Sequence, residues 1–263
     1  DGHPLGRPII GTMDSLSSIN RDKLLSYHKR YYSPSNLVVA LAGKFQHREA
    51  VDLLESALSH LSGEKVETKI APPQTRIVSK SIFRDLEQLQ ICMGVQGVSL
   101  YDENLYHQQL LNNILGGGAS SRLFQSIREE RGLAYSIYSY NLSFLDCGLF
   151  VIYAGTNPAN YQDVLDLIQR EIQAIIDSGI SPKEMQRSKT QAKGSLLLAQ
   201  ESVLNRMHRL GKTELVHQKF VTVDEVLEKV NQLTEPDLQF FAQKLFASDQ
   251  MTITTLGPLK ASS

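Results

Sequence analysis

The run from Leu115 to Tyr135, LGGGASSRLFQSIREERGLAY, leaves few ways for the chain to fold around it. Three consecutive glycines, Gly116 to Gly118, follow an apolar stretch and permit a turn too tight for side chains. Ser120 and Ser121 stand where a side-chain oxygen caps the free N–H groups of a new helix. Leu123, Phe124 and Ile127 then recur at helical spacing and predict one buried stripe. Arg128 to Arg131 close that helix, and Gly132 is suited to break it. From Ala134 to Ser143 the pattern alternates and is rich in Tyr and Ser, which predicts a strand. An arginine at a helix end and a tyrosine at a strand start, Arg128 and Tyr135, are thus joined by one sharp turn that can aim both at one point.

Glycines ahead of a helix raise the question of phosphate binding. A P-loop ends in Gly-Lys-Ser/Thr, and GGGASSRL has no lysine there. A dinucleotide fingerprint needs a preceding strand, whereas Glu103 to Leu115 has helical periodicity. Anion binding at the N-terminus of the following helix stays physically open, but the glycines read first as a close-packed helix-to-helix connection. The seven histidines (His3, His28, His47, His60, His107, His208 and His217) include no pair at i+3 or i+4, so no helix face offers two imidazoles to a metal. There is no G-x-S-x-G elbow, and neither cysteine has the surroundings of a nucleophile.

LGGGASSRLFQSIREERGLAYSIYS, followed by DCGLF at 146–150, resembles the second homologous domain of the pitrilysin–insulinase zinc metallopeptidases, the inverzincins. HPLGRPIIGT at 3–12 and YYSPSNLVVALAGKF at 31–45 resemble the end of that family's first domain. The likeness covers nearly the whole chain, and the glycine–SSRLF–RGLAY block is its most specific part. It implies a zinc endopeptidase whose H-x-x-E-H motif, absent from these residues, belongs to a part of the parent that precedes them. Zinc is accordingly expected in the parent and not in this chain, which alone is expected to be inactive. By the same resemblance Arg128 and Tyr135 bind substrate, and Tyr135 also stabilises the oxyanion formed at the zinc site of the other half. Arg131 does not match the spacing.

The resemblance also implies a fold: α+β, an antiparallel sheet covered by helices on one face (an α/β roll), preceded by a partial copy of the same domain. Periodicity places helices at 19–32 and 48–61 around an apolar run, 36–42, short enough for a buried strand. Residues 1–61 are then the remainder of the first, zinc-bearing domain. The polar stretch 62–76, with Pro72–Pro73, is a linker, 77–258 the second domain and 259–263 a tail. In the second domain, strands are expected at 88–98, 134–143, 147–155 and 251–256. Helices are expected at 103–115, 158–177, 182–210, 223–233 and 235–246, with Ser181 and Glu184 placed for a capping box.

Composition is ordinary for a folded chain of 263 residues: 41% apolar, 21% charged. A net charge of −1 gives no basis for nucleic-acid or anionic-membrane partners. No run approaches the roughly 18 apolar residues of a membrane span. Cys92 and Cys147 lie in strand-like runs and read as buried thiols, which suits a reducing compartment such as the cytoplasm. The chain begins with Asp1, which leaves a signal segment on a longer parent open. The partners implied are a peptide substrate and a homologous zinc-bearing half or subunit, with a homodimer as a further option. The alternative to a substrate-binding half is a non-catalytic subunit or interaction scaffold of the same family. A third, an unrelated α+β binding module, requires the block match to be chance.

Overall fold

The computed structural model describes residues 2–64, 66, 71–73, 75–247 and 251–259. Much of the predicted linker (65, 67–70 and 74) and most of the predicted tail (260–263) lie outside the described residues. In chain order the elements are α1 (Met13–Ser17), α2 (Arg21–Tyr31), α3 (His47–Leu58), β1 (Ser79–Phe83), β2 (Leu89–Gly97) and α4 (Leu105–Leu115). A π-helical segment (Phe124–Glu129) precedes β3 (Ala134–Ser143) and β4 (Gly148–Thr156). Then come α5 (Tyr161–Ser178), α6 (Pro182–Glu201), α7 (Val203–His217), α8 (Val223–Gln232), α9 (Glu235–Leu245) and β5 (Thr252–Gly257). The chain divides into two compact units, Asp1–Pro73 with Ala199–Phe220, and Gln74–Leu198 with Val221–Ser263. Residues 199–220 thus group with the N-terminal unit, although they fall inside the contiguous 77–258 span read from the sequence.

The second unit holds the sheet, in the order β1–β5–β2–β4–β3. The fold is α+β, as expected, and three of the four pairings are antiparallel. The fourth differs: β1 runs parallel to β5, with Ser81 opposite Thr255. Alternation sorts the faces. Leu89, Ile91 and Met93 of β2 and Phe150, Ile152 and Ala154 of β4 point into one core with almost no exposure. Helices α4, α5 and α9 cover that face through Leu111, Ile114, Ile168, Ile175, Leu238 and Phe241. On the opposite face Tyr138, Leu142 and Leu149 remain exposed. Glycine at 116 is required by close approach. A Cβ there would sit 2.5 Å from the Ser139 backbone nitrogen, where β3 passes the end of α4.

The helix expected over 182–210 is broken. Ser202 leaves helical geometry and its side chain accepts from the Asn205 N–H, ending α6 and starting α7. β1 was not visible in the sequence, because SKSIF has no buried face and becomes a strand only through its partner.

The first unit is built differently. Among its described residues only Ser33 is buried; its hydroxyl donates to the Glu64 carbonyl at 3.2 Å. The strand expected at 36–42 does not form. Leu37 is extended (φ −120°, ψ 138°), but among the described residues the backbone of Val38 to Ala42 has no hydrogen-bond partner. A ladder needs a neighbour, and none is at hand. Beside this run lies an open apolar groove of about 350 Å³, lined by Val38, Leu41, Val51, Leu54, Leu210 and Phe220.

Candidate functional site

The site is assembled by the turn between the π-helical segment and β3. Leu123 and Ile127 are fully buried and anchor the segment in the core, as their spacing predicts. The wider turn is recorded in the Glu130 N–H, which donates to the Gln125 carbonyl five residues back at 3.0 Å. Gly132 then takes φ +62°, a conformation that side chains resist. This reverses the chain so that the Leu133 N–H donates to the Ile127 carbonyl at 2.9 Å. The Leu133 carbonyl is held in turn by the Thr156 hydroxyl and by Asn160 Nδ2. The seven-residue connection from Arg128 to Tyr135 is therefore fastened in its middle.

Tyr135 occupies a β-bulge. Ala134 is opposite Thr156 and Ser136 opposite Gly155, so Tyr135 is the extra residue and its side chain is 60% exposed. A bulge re-aims one side chain out of the pleat and is a recurrent device beside active sites. Arg128, also exposed, ends the π-helical segment with its guanidinium carbon 4.8 Å from the centroid of the Phe124 ring. Among the described residues its side chain makes no hydrogen bond or ion pair; its carbonyl accepts the Gly132 N–H at 3.0 Å. Arg131 is engaged: Nη1 donates to the Ser126 carbonyl and to Glu130 Oε2. Arg131 and Arg128 are thus chemically distinct, one tied to the fold and one with a donor fork that, among the described residues, has no partner.

The rest of the motif serves packing. The Gly116 carbonyl accepts the Ser139 N–H at 3.0 Å, and Ser139 Oγ donates to Asn112 Oδ1 at 2.7 Å. The space beside Gly116 is therefore filled by β3. Ser121 does not act as the expected cap: it is buried and its hydroxyl donates backwards to the Gly118 carbonyl at 2.6 Å. Leu123 precedes the segment with no side-chain cap. Sequence reasoning passed over Arg122. Its Nε and Nη2 grip both oxygens of Glu184 at 2.7 and 3.0 Å, and Nη2 also donates to the Gly179 carbonyl at 3.1 Å. Glu184 also completes the predicted capping box with Ser181. Burial alone would raise the Glu184 pKa; the Arg122 guanidinium and the Ser181 donors outweigh it and hold the carboxyl down at about 2.

The donor set does not suit zinc. Among the described residues no three His, Cys, Asp or Glu side chains are placed to hold a metal ion. His107 is 5.8 Å ring to ring from Phe241, and burial lowers its pKa against the pull of Asp237, Glu103 and Asp102. Cys92 and Cys147 are unpaired, as expected, but only half-buried, and burial pushes both thiols up, away from the thiolate a nucleophile needs. No helix among the described residues is long and apolar enough to cross a membrane.

Fold and site together define an α+β unit with a bulged strand, an exposed arginine beside it and, among the described residues, no cluster placed to hold a metal ion. The comparisons give that class its family. Residues 18–192 match the model of the peptidase M16 inactive domain, and the chain belongs to the M16 peptidase family. It is 37% identical over 247 residues to a Bacillus subtilis protein named as the uncharacterized zinc protease YmxG, covering 94% of this chain and 60% of that one. A Streptomyces coelicolor protein also named as an uncharacterized zinc protease is 35% identical, with 97% and 57% covered. The chain therefore spans about three-fifths of the length of these relatives. Among solved structures, a peptidase M16 inactive domain from Pseudomonas fluorescens superposes with a TM-score of 0.87 at 25% identity, over 96% of this chain and 61% of that one. A chain of complex III2 from Candida albicans shares the fold, with a TM-score of 0.84 at 21% identity, over 99% of this chain and 64% of that one.

Proposed function

We propose that this chain is the substrate-binding half of a zinc endopeptidase, in which Arg128 and Tyr135 act on a peptide held against a zinc-bearing half. The observation that carries the reading is the contrast between Arg131 and Arg128. Arg131 spends its donors on Ser126 and Glu130, whereas Arg128 keeps an exposed, unspent fork suited to carbonyl or carboxylate oxygens. Tyr135, turned out of the pleat by its bulge, offers a hydroxyl donor seven residues away. Such a donor matters most when it meets charge that develops in the transition state. Arg128 holds the peptide backbone, and the metal chemistry belongs to the other half.

Residues 1–61 fit the remainder of the zinc-bearing domain. Among the described residues their apolar run at 37–42 has no pairing partner, and the relatives have length beyond this chain from which one can come. The second reading is a separate subunit that lends Arg128 and Tyr135 to a zinc-bearing partner; the same unpaired run favours association, a second copy of the chain included.

The test is kinetic, in the whole zinc-loaded protein on one peptide. Tyr135→Phe should lower kcat by about 10²–10³, the usual loss for one oxyanion donor. Arg128→Ala should raise KM as well as lower kcat. Arg131→Ala should cost stability and little turnover in the fraction that remains folded. Arg131→Ala as damaging to turnover as Tyr135→Phe, or Tyr135→Phe near wild type, would refute the assignment.

A further inference from the structure

We propose that Phe124 is the positioning residue for Arg128, its ring serving as the seat on which the guanidinium rests; this builds on the reading of Arg128 as a substrate-binding residue. Phe124 and Arg128 stand four residues apart on one side of the π-helical segment, a spacing at which side chains meet. The guanidinium carbon lies 4.8 Å from the ring centroid, inside the roughly 6 Å reach of cation–π attraction. Among the described residues nothing else holds the Arg128 side chain. Of the two neighbouring carboxylates, Glu130 pairs with Arg131, and Glu129 makes no bond to Arg128.

The mode of contact matters. A salt bridge or carbonyl contact would consume the N–H donors that substrate binding needs. Stacking engages only the flat face of the guanidinium and leaves its five in-plane N–H groups unspent. A long, otherwise unheld side chain must be frozen when ligand binds, and the ring removes part of that cost beforehand. Phe124 is itself only half-buried, whereas Leu123 and Ile127 on either side of it are fully buried. Those neighbours hold the segment in the core, so the ring is available to the arginine.

The discriminating experiment is a double-mutant cycle in the whole zinc-loaded protein with one peptide substrate. Phe124→Leu keeps apolar bulk without a π face and should raise KM by about 3–10-fold, with a smaller change in kcat. Phe124→Tyr should restore the wild-type KM. In an Arg128→Ala background, Phe124→Leu should add nothing further. An unimpaired Arg128→Ala would remove the parent reading. An impaired Arg128→Ala with a normal Phe124→Leu, or with full additivity of the two, would overturn the positioning role alone. A second readout needs no turnover. In the 263-residue chain the Arg128 side-chain protons should be shifted upfield by the ring current, in wild type and Phe124→Tyr but not in Phe124→Leu. Unshifted Arg128 resonances in wild type would overturn the proposal whatever the kinetics give.

Discussion

Replacing Glu184 by glutamine should convert a pH-dependent part of the stability into a pH-independent one. The carboxylate accepts from Arg122 Nε and Nη2 at 2.7 and 3.0 Å, and from the Ser181 N–H and hydroxyl at 2.9 and 2.7 Å. Against the burial that would raise it, these donors hold the carboxyl at about 2, where an ordinary glutamate titrates at 4.5. At about 1.4 kcal/mol per pH unit the difference corresponds to at most about 3.5 kcal/mol. Both side chains keep some solvent access (17% and 18%), and screening brings the expected contribution down to about 1–2 kcal/mol.

The sign follows from the direction of the shift. A carboxyl depressed on folding contributes its full stability above the unfolded value, and loses it as pH falls through the folded one. In urea unfolding followed by circular dichroism, Glu184→Gln should therefore be weaker than wild type by about 1–2 kcal/mol at pH 6–7. The gap should narrow below pH 4.5 and nearly close by pH 2. Taking the difference between the two proteins cancels the other carboxyls that titrate in the same range. A gap that stays constant from pH 7 to pH 2.5 would refute the reasoning, because the loss would then come from shape and not from charge.

Gly116→Ala should destabilise the second unit by about 2 kcal/mol or more, since the new methyl meets backbone at 2.5 Å; Gly132→Ala, strained only by its φ of +62°, should cost about 1 kcal/mol. Thermal melts of the two variants check the order, and the reverse order would be wrong for this packing. Hydrogen exchange should be fastest over α2, the 37–42 run and α3, and slowest in β2 and β4; uniform protection across both units in a monomer would contradict the open first unit. The purified chain should carry no stoichiometric zinc, and elemental analysis finding one tightly held zinc per chain would overturn the donor-set argument.

What the sequence disclosed depends on how local each feature is. The core strands β2, β3 and β4 announce themselves because each alternates or runs apolar within its own residues. The turn at Gly132 was visible for the same reason. β1 was not, since SKSIF has no buried position and owes its conformation to β5, some 174 residues later. The 36–42 run shows the converse error: strong strand propensity but, among the described residues, no pairing neighbour and hence no strand. In the site, the spacing of Arg128 and Tyr135 could be read from the motif, but the bulge could not, because it is a matter of register with β4. Arg122 was hidden by standing 62 residues from Glu184. The i, i+4 spacing of Phe124 and Arg128 was a signal that went unused.

The division of the chain into Asp1–Pro73 with Ala199–Phe220, and Gln74–Leu198 with Val221–Ser263, has a consequence for biosynthesis. Neither unit is a continuous stretch, so neither is complete on the ribosome until the other has largely been made. The first must wait more than a hundred residues for the helix that supplies Leu210, and the second needs β5, close to the last described residue, to join β1 to β2. Chain closures over such distances are entropically slow and leave apolar faces uncovered in the meantime. An emerging chain of this design stays sticky until β5 has been made, and cutting the gene at the apparent linker yields two incomplete pieces instead of two domains.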